Sequence, residues 1–252
     1  MYFEIDIGPF DLFVVHGSHH PMAVALITGA NRGLGLEFTR QYLADGWHVF
    51  ATCRDPASAN ELQRLAGKAR GKLAIVAMDV TDAQSVRAAG EQVGEVGVDL
   101  LLNCAGITGI PGQKVGKVNY ESWVRVLDVN TMGPLRVIEA FLDDVARSER
   151  KLVVTITSGM GSLSDNTSGG SIAYRTSKAA VNMVTRCAAI DLAPQGITCV
   201  VVNPGWVKTD MGGPNATLTA QESVTAMRRL IEKLGPTHSG MFFHYDGTEY
   251  PW

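Results

Sequence analysis

The chain has 252 residues, of which 46% are hydrophobic and 19% charged, and a formal net charge of −3. That length supports a sizeable core and fits one α/β domain, although two domains are allowed on length alone. The 22 Lys and Arg are scattered, which argues against nucleic acid or an anionic membrane as partner and for a small, weakly charged ligand.

The N-terminal segment, MYFEIDIGPFDLFVVHGSHHP, carries Glu4, Asp6 and Asp11 where a secretory signal has a basic region. Residues 1–21 read as an addition to the domain: a short extra strand, a disordered arm or an upstream extension of the reading frame. His16, His19 and His20 lie in a Gly/Ser stretch with no carboxylate partner, so no metal is assigned to them.

From Met22 onwards, short β-branched runs alternate with helical segments, the pattern of βαβ units around a doubly wound parallel sheet. AVALIT (23–28) reads as the first strand, and LGLEFTRQYLADG (34–46) as its helix. Between them Thr28-Gly29-Ala30-Asn31-Arg32-Gly33-Leu34-Gly35 is a GxxxGxG turn. Glycines there let the backbone approach a pyrophosphate at the helix N-terminus, although alone they fit an ordinary tight connection as well.

The second strand, WHVFATC (47–53), ends in Cys53-Arg54, where NAD-binding chains place an acidic residue for the ribose. A guanidinium suits a 2′-phosphate instead, and Arg32 is placed to reach the same group, so the pattern favours NADP(H) over NAD(H). The competing reading makes both arginines solvated surface charges, with Asp55 neutralising Arg54. A helix near 57–67 and the strand KLAIVAM (72–78) follow. Asp79-Val80 comes next, with Asp79 either meeting the adenine amino group or capping the helix near 82–93.

VDLLLNC (98–104) is the fourth strand, ending in Asn103-Cys104-Ala105-Gly106, whose small residues allow close passage of a cofactor. A helical region from about 120 to 147 contains Asn130 just before Gly133-Pro134, where a bend should free an internal carbonyl for water. KLVVTITS (151–158) is the fifth strand, ended by Ser158. In IAYRTSKAAVNM, Tyr174 and Lys178 share one helix face at i and i+4. A phenol of ordinary pKa near 10 beside an ammonium is a candidate acid/base, yet YxxxK by itself is more often a surface coincidence. ITCVVVNPG (197–205), a helix near 218–233 and a last strand around GMFFHYD (240–246) complete the order. The four cysteines, Cys53, Cys104, Cys187 and Cys199, have no CxxC pair, which reads as reduced thiols and a cytoplasmic location. No apolar run approaches the length of about 20 residues that spans a bilayer.

TGANRGLG, Asp79-Val80, NCAG, the Asn130 helix, the Ser158 strand, YRTSK and NPGWVKTDM stand in an order and spacing that resemble the short-chain dehydrogenase/reductase family. PGWVKTDMGG and the tail DGTEYPW are most similar to its C-factor and Sniffer-type carbonyl reductase branch. The resemblance implies a single-domain Rossmann fold over residues 22–252, with about seven strands and helices on both faces. It implies Tyr174 as general acid/base, Lys178 as its tuner and ribose ligand, Ser158 as carbonyl positioner and Asn130 as anchor of a water. It implies that Gly29, Asn31, Arg32, Gly33, Leu34, Gly35, Arg54, Asp79, Val80, Asn103, Ala105, Gly106, Pro204, Gly205, Val207 and Thr209 line NADP(H), with Thr209 at the carboxamide. It further implies a ketone or aldehyde reductase acting as a homodimer or homotetramer. An NAD-linked alcohol dehydrogenase and a coenzyme-binding signalling protein are the alternatives. Cys104 departs from the family's NNAG, and Ser162 and Ser164 rival Ser158.

Overall fold

The computed structural model describes residues 22–252. The expected N-terminal addition, with its three histidines, lies outside the described residues. Seven strands form one parallel sheet: β1 Val24–Ile27, β2 His48–Cys53, β3 Leu73–Ala77, β4 Leu100–Asn103, β5 Leu152–Ile156, β6 Thr198–Asn203 and β7 Phe242–His244. Their order is β3-β2-β1-β4-β5-β6-β7, so the direction of winding reverses between β1 and β4. In open sheets of this kind the ligand crevice opens at that reversal, beyond the carboxyl ends of the strands.

Strand alternation divides the core in two. Ala25 and Ile27 of β1, Leu100 and Leu102 of β4, and Val200 and Val202 of β6 face one buried cluster, while Leu26, Leu101 and Cys199 face the other. Helices cover both faces, which is why the strands read as continuous apolar runs. The first cluster is closed by α1 (Gly33–Ala44), α2 (Asn60–Ala66) and α8 (Ala220–Lys233), through Phe38, Tyr42, Leu62 and Met227. The second is closed by α3 (Ala83–Val93), α5 (Gly133–Ala140), α6 (Leu142–Arg147) and α7 (Ile172–Asp191), through Val86, Ile138, Val145 and Ala188. Each buried Phe or Leu contributes about 1.5–3 kcal/mol of burial free energy.

The remaining helix, α4 (Tyr120–Leu127), runs into a π-helical turn at Asp128–Met132 before α5 begins. The helix is therefore irregular near Asn130, where a bend was expected, and the irregularity is a π-helical turn. Its cause is local: Pro134 has no N–H to give the carbonyl of Asn130, and the backbone widens so that Gly133 N–H reaches Asp128 O. Asp82 caps α3 by accepting from Gln84 N–H at 2.8 Å, so the capping role belongs to it and not to Asp79. Among the described residues, no helix is long and apolar enough to cross a membrane, and no group of His, Cys, Asp or Glu could hold a metal ion.

Candidate active site

The glycine-rich turn between β1 and α1 packs too tightly for side chains. Gly29 has φ of +65°, and a Cβ there would lie 2.8 Å from Ala105 Cα. At Gly35 a Cβ would lie 2.4 Å from Gly29 O, a backbone atom that cannot swing aside. Gly35→Ala is therefore expected to cost about 1–3 kcal/mol of stability, read as a lower urea midpoint with unchanged slope. Arg32 occupies the N-cap position of α1 without a side-chain cap, and the first turn holds no acidic residue. The leading N–H groups of α1 are thus left to an outside acceptor, as an anionic pyrophosphate requires.

Thr28 Oγ1 accepts from Cys104 N–H at 2.9 Å and Ala105 N–H at 3.0 Å, tying this turn to the end of β4 across the reversal. Asn31 is exposed at the tip, while Leu34 packs against the first core cluster. Arg54 follows Cys53 at the end of β2 and lies close enough to Asp79 to act on its charge. Partial burial works to raise the Asp79 carboxyl, but bonds from the Thr81 N–H and hydroxyl, then the charges of Arg54 and Arg125, bring it below its ordinary value. Val80 is buried against Gly133, and Asn103 is buried with its amide towards Pro134 O at 3.5 Å.

Arg32 does not join Arg54. Its guanidinium pairs with Asp210 Oδ2 at 2.8 Å, on the segment after β6. The sequence places Arg32 within reach of a 2′-phosphate; in the folded chain the opposite charge it meets is Asp210. That segment begins with Pro204, whose carbonyl accepts from Ser223 Oγ at 2.7 Å. Gly205 follows with φ of +77°, and Val207 is buried. Thr209 then lies over the glycine-rich turn, its methyl 3.6 Å from where a Gly33 Cβ would stand.

Ser158, Tyr174 and Lys178 converge at the carboxyl end of β5. Ser158 follows the strand by two residues, accepts from Met160 N–H at 3.1 Å and stands close enough to the Tyr174 phenol to act on its ionisation. Ser162 is engaged elsewhere: its hydroxyl donates to Trp252 O at 3.0 Å, and Leu163 and Ser164 N–H groups donate to the same oxygen. Ser164 is exposed. Of the three serines, Ser158 is the one that acts on the phenol.

Lys178 is buried and donates from Nζ to Ile156 O at 2.9 Å, with Nζ 5.8 Å from the centre of the Tyr174 ring. Burial pulls its ammonium down to about 8, and burial pushes the Tyr174 phenol up to about 12 against the opposing effect of Ser158. The lowering of the phenol expected from a neighbouring ammonium is thus not what the protein groups alone produce: desolvation dominates, and the cause that works against it is Ser158. The Cys104 thiol beside Lys178 is pushed up to about 12 by burial, so it stays neutral.

Asn130 is locked from both ends. Its Oδ1 accepts from Ile107 N–H at 2.8 Å, and its Nδ2 donates to Ile107 O at 2.8 Å and Ser177 Oγ at 2.9 Å. Ser177 Oγ in turn donates to Tyr174 O at 2.8 Å within α7, and the Asn130–Ser177 bond ties that helix to the π turn. A Cβ on Gly106 would stand 3.4 Å from Asn130 Oδ1 and 3.7 Å from Lys178 Nζ, so a small residue there keeps the space between them open.

Residues 23–219 match the family described as short chain dehydrogenase. The chain belongs to the short-chain dehydrogenase family. It is 50% identical over 155 residues to the C-signal protein of Myxococcus xanthus, covering 62% of this chain and 93% of that one. It is 35% identical over 238 residues to a 1-hydroxy-2-glutathionyl-2-methyl-3-butene dehydrogenase of Rhodococcus sp. (strain AD45), covering 92% of this chain and 100% of the relative. Among solved structures, the carbonyl reductase Sniffer of D. melanogaster superposes with a TM-score of 0.87 at 34% identity, covering 92% of this chain and 100% of that one. The NADPH-bound carbonyl reductase from chicken fatty liver superposes at 0.86 with 38% identity, covering 92% and 99%. This short-chain dehydrogenase therefore sits in the branch that its tail and its PGWVKTDMGG segment suggested.

Two parts of the site had no signal in the sequence. Met211 places its sulfur 3.9 Å from the Tyr174 hydroxyl, held there by a turn in which Trp206 Nε1 donates to Gly212 O at 2.8 Å. The chain end folds back so that Tyr250 donates to Asp165 Oδ2 at 2.7 Å, bracing the loop after Ser158. Neither has a period or spacing that could announce it.

Proposed function

We propose that this short-chain dehydrogenase reduces a ketone or aldehyde to the alcohol, using NADP(H). The observation that carries the proposal is the meeting of Ser158, Tyr174 and Lys178 at the end of β5, facing a glycine-rich turn whose helix N-terminus is free to receive an anion. When bound, the reduced nicotinamide supplies the hydride that the carbonyl carbon receives.

Gly29, Asn31, Gly33, Leu34 and Gly35 would hold the diphosphate through backbone N–H groups. Arg54, with Arg32, would serve the 2′-phosphate, and Asp79 with Val80 the adenine. Asn103, Ala105 and Gly106 would line the ribose and nicotinamide with Pro204, Gly205, Val207 and Thr209. The absence of an acidic residue at Cys53 and the NADPH-bound relative both support the phosphorylated coenzyme.

Ser158 donates a hydrogen bond to the carbonyl oxygen, and Tyr174 gives that oxygen its proton from Oη. A phenol near 12 holds its proton at neutral pH, as a donor in the reductive direction must. Lys178 binds the ribose hydroxyls and, through a water anchored by Asn130, returns a proton to Tyr174. With its ammonium near 8, the rate is expected to hold level below that pH and fall as the pH rises through it. Lys178→Arg, whose charge persists, is expected to abolish that alkaline fall while lowering the maximal rate; an unchanged profile would remove Lys178 from the relay.

The proposal is tested by following NADPH absorbance with a panel of ketones and aldehydes. Consumption with none of them, or faster turnover with NADH in place of NADPH or with NAD and an alcohol, would overturn it. The likeness to a protein named C-signal favours a second role in signalling, and capture of one partner equally by wild type and Tyr174→Phe would separate that role from catalysis. Exposed Tyr120, Val124, Leu135, Met183 and Ile190 on α4, α5 and α7 support a homodimer or homotetramer, measurable by sedimentation.

A further inference from the structure

The ion pair between Arg32 and Asp210 joins two segments that leave the sheet three strands apart, after β1 and after β6. At the usual strand spacing it reaches across roughly 14 Å of sheet edge, past the ends of β4 and β5. Arg54, the cation at the end of β2, stands on the opposite side of β1. Arg32 has one side chain and two destinations. It either stays with Asp210 or turns back towards β2 to join Arg54.

We infer that Asp210 is a determinant of coenzyme preference, acting by competing with the 2′-phosphate for the Arg32 guanidinium. The inference rests on the reading of the crevice as an NADP(H) site. A phosphate carries more charge than a carboxylate and offers three acceptor oxygens, so it draws the forked guanidinium more strongly. The ligand must nevertheless displace Asp210 first, and a coenzyme without the 2′-phosphate has nothing with which to do so. The pair is weak enough to yield, because the side chains are 62% and 75% exposed, and pairs of that kind are largely screened by water and salt. Asp210 therefore moderates the preference that Arg32 and Arg54 create.

Calorimetry with adenosine 2′,5′-bisphosphate and with 5′-AMP as probes tests this without turnover. Asp210→Asn is expected to tighten the bisphosphate by about two- to five-fold and to leave 5′-AMP nearly unchanged. In an Arg32→Gln background the same substitution is expected to do nothing, because no guanidinium remains to be released. Equal tightening of both probes, or a gain that survives in the Arg32→Gln background, would reduce Asp210 to a general repulsive charge and overturn the inference. So would weaker bisphosphate binding in Asp210→Asn, which would make the pair a clasp over the ligand. If wild type does not prefer the bisphosphate over 5′-AMP, the NADP(H) reading falls and the inference with it. If wild type prefers it and Asp210→Asn changes nothing, the inference alone falls.

Discussion

Tyr174→Phe is expected to lower carbonyl reduction by about 10²–10⁴-fold while leaving coenzyme affinity essentially intact. The substitution removes one oxygen from a partly buried ring and leaves the ring beside Lys178 in place. Only the proton donor and the Ser158 and Met211 contacts are lost. Because the ring does not pair with the leading N–H groups of α1, diphosphate binding should not follow the rate. Single-turnover measurement with NADPH separates the two quantities, and turnover near the wild-type rate would require a different acid. Ser162, whose hydroxyl is bound to Trp252 O, is not placed to stand in.

Arg54→Asp is expected to weaken NADPH by at least ten- to a hundred-fold, the loss of a charge-assisted bond of about 1.5–3 kcal/mol, with charge repulsion added. NADH affinity should hold or improve, since a carboxylate at the end of β2 can accept from both ribose hydroxyls. A side effect has a definite sign. Arg54 is one of the charges that help hold the Asp79 carboxyl below its ordinary value, so replacing it by a carboxylate should push that group upwards. Fluorescence titration of both coenzymes checks the exchange, and equal losses for NADPH and NADH would show that Arg54 supports the crevice without reading the phosphate.

The fold was legible because the sheet has helices on both faces, so its strands read as largely apolar runs, while α3, α4 and α8 start at capping side chains, Asp82, Asn119 and Thr219. Strand ends were read one or two residues long: Ser158 and Asp79 lie two residues beyond β5 and β3, because the apolar run outlasts the hydrogen-bonded ladder. The irregularity at Asn130 was legible from Pro134, whose missing N–H also underlies its π-helical form. The residues of the site were visible where backbone chemistry demands them, at Gly29 and Gly35, or where helical spacing aligns them, at Tyr174 and Lys178. Arg32–Asp210, Met211 over Tyr174 and Trp252 O under Ser162 are contacts between loops far apart in sequence, so only the completed fold creates them.

The strand order also sets a timetable. β1 has one partner, β2, close behind it in the chain, but its other partner, β4, begins some 75 residues after β1, and Ser158, Tyr174 and Thr209 come later still. On a ribosome the diphosphate cradle would emerge long before anything that could react with a carbonyl. Coenzyme is therefore in a position to meet a half-made protein first, and chemistry becomes possible only once the last third of the chain has docked.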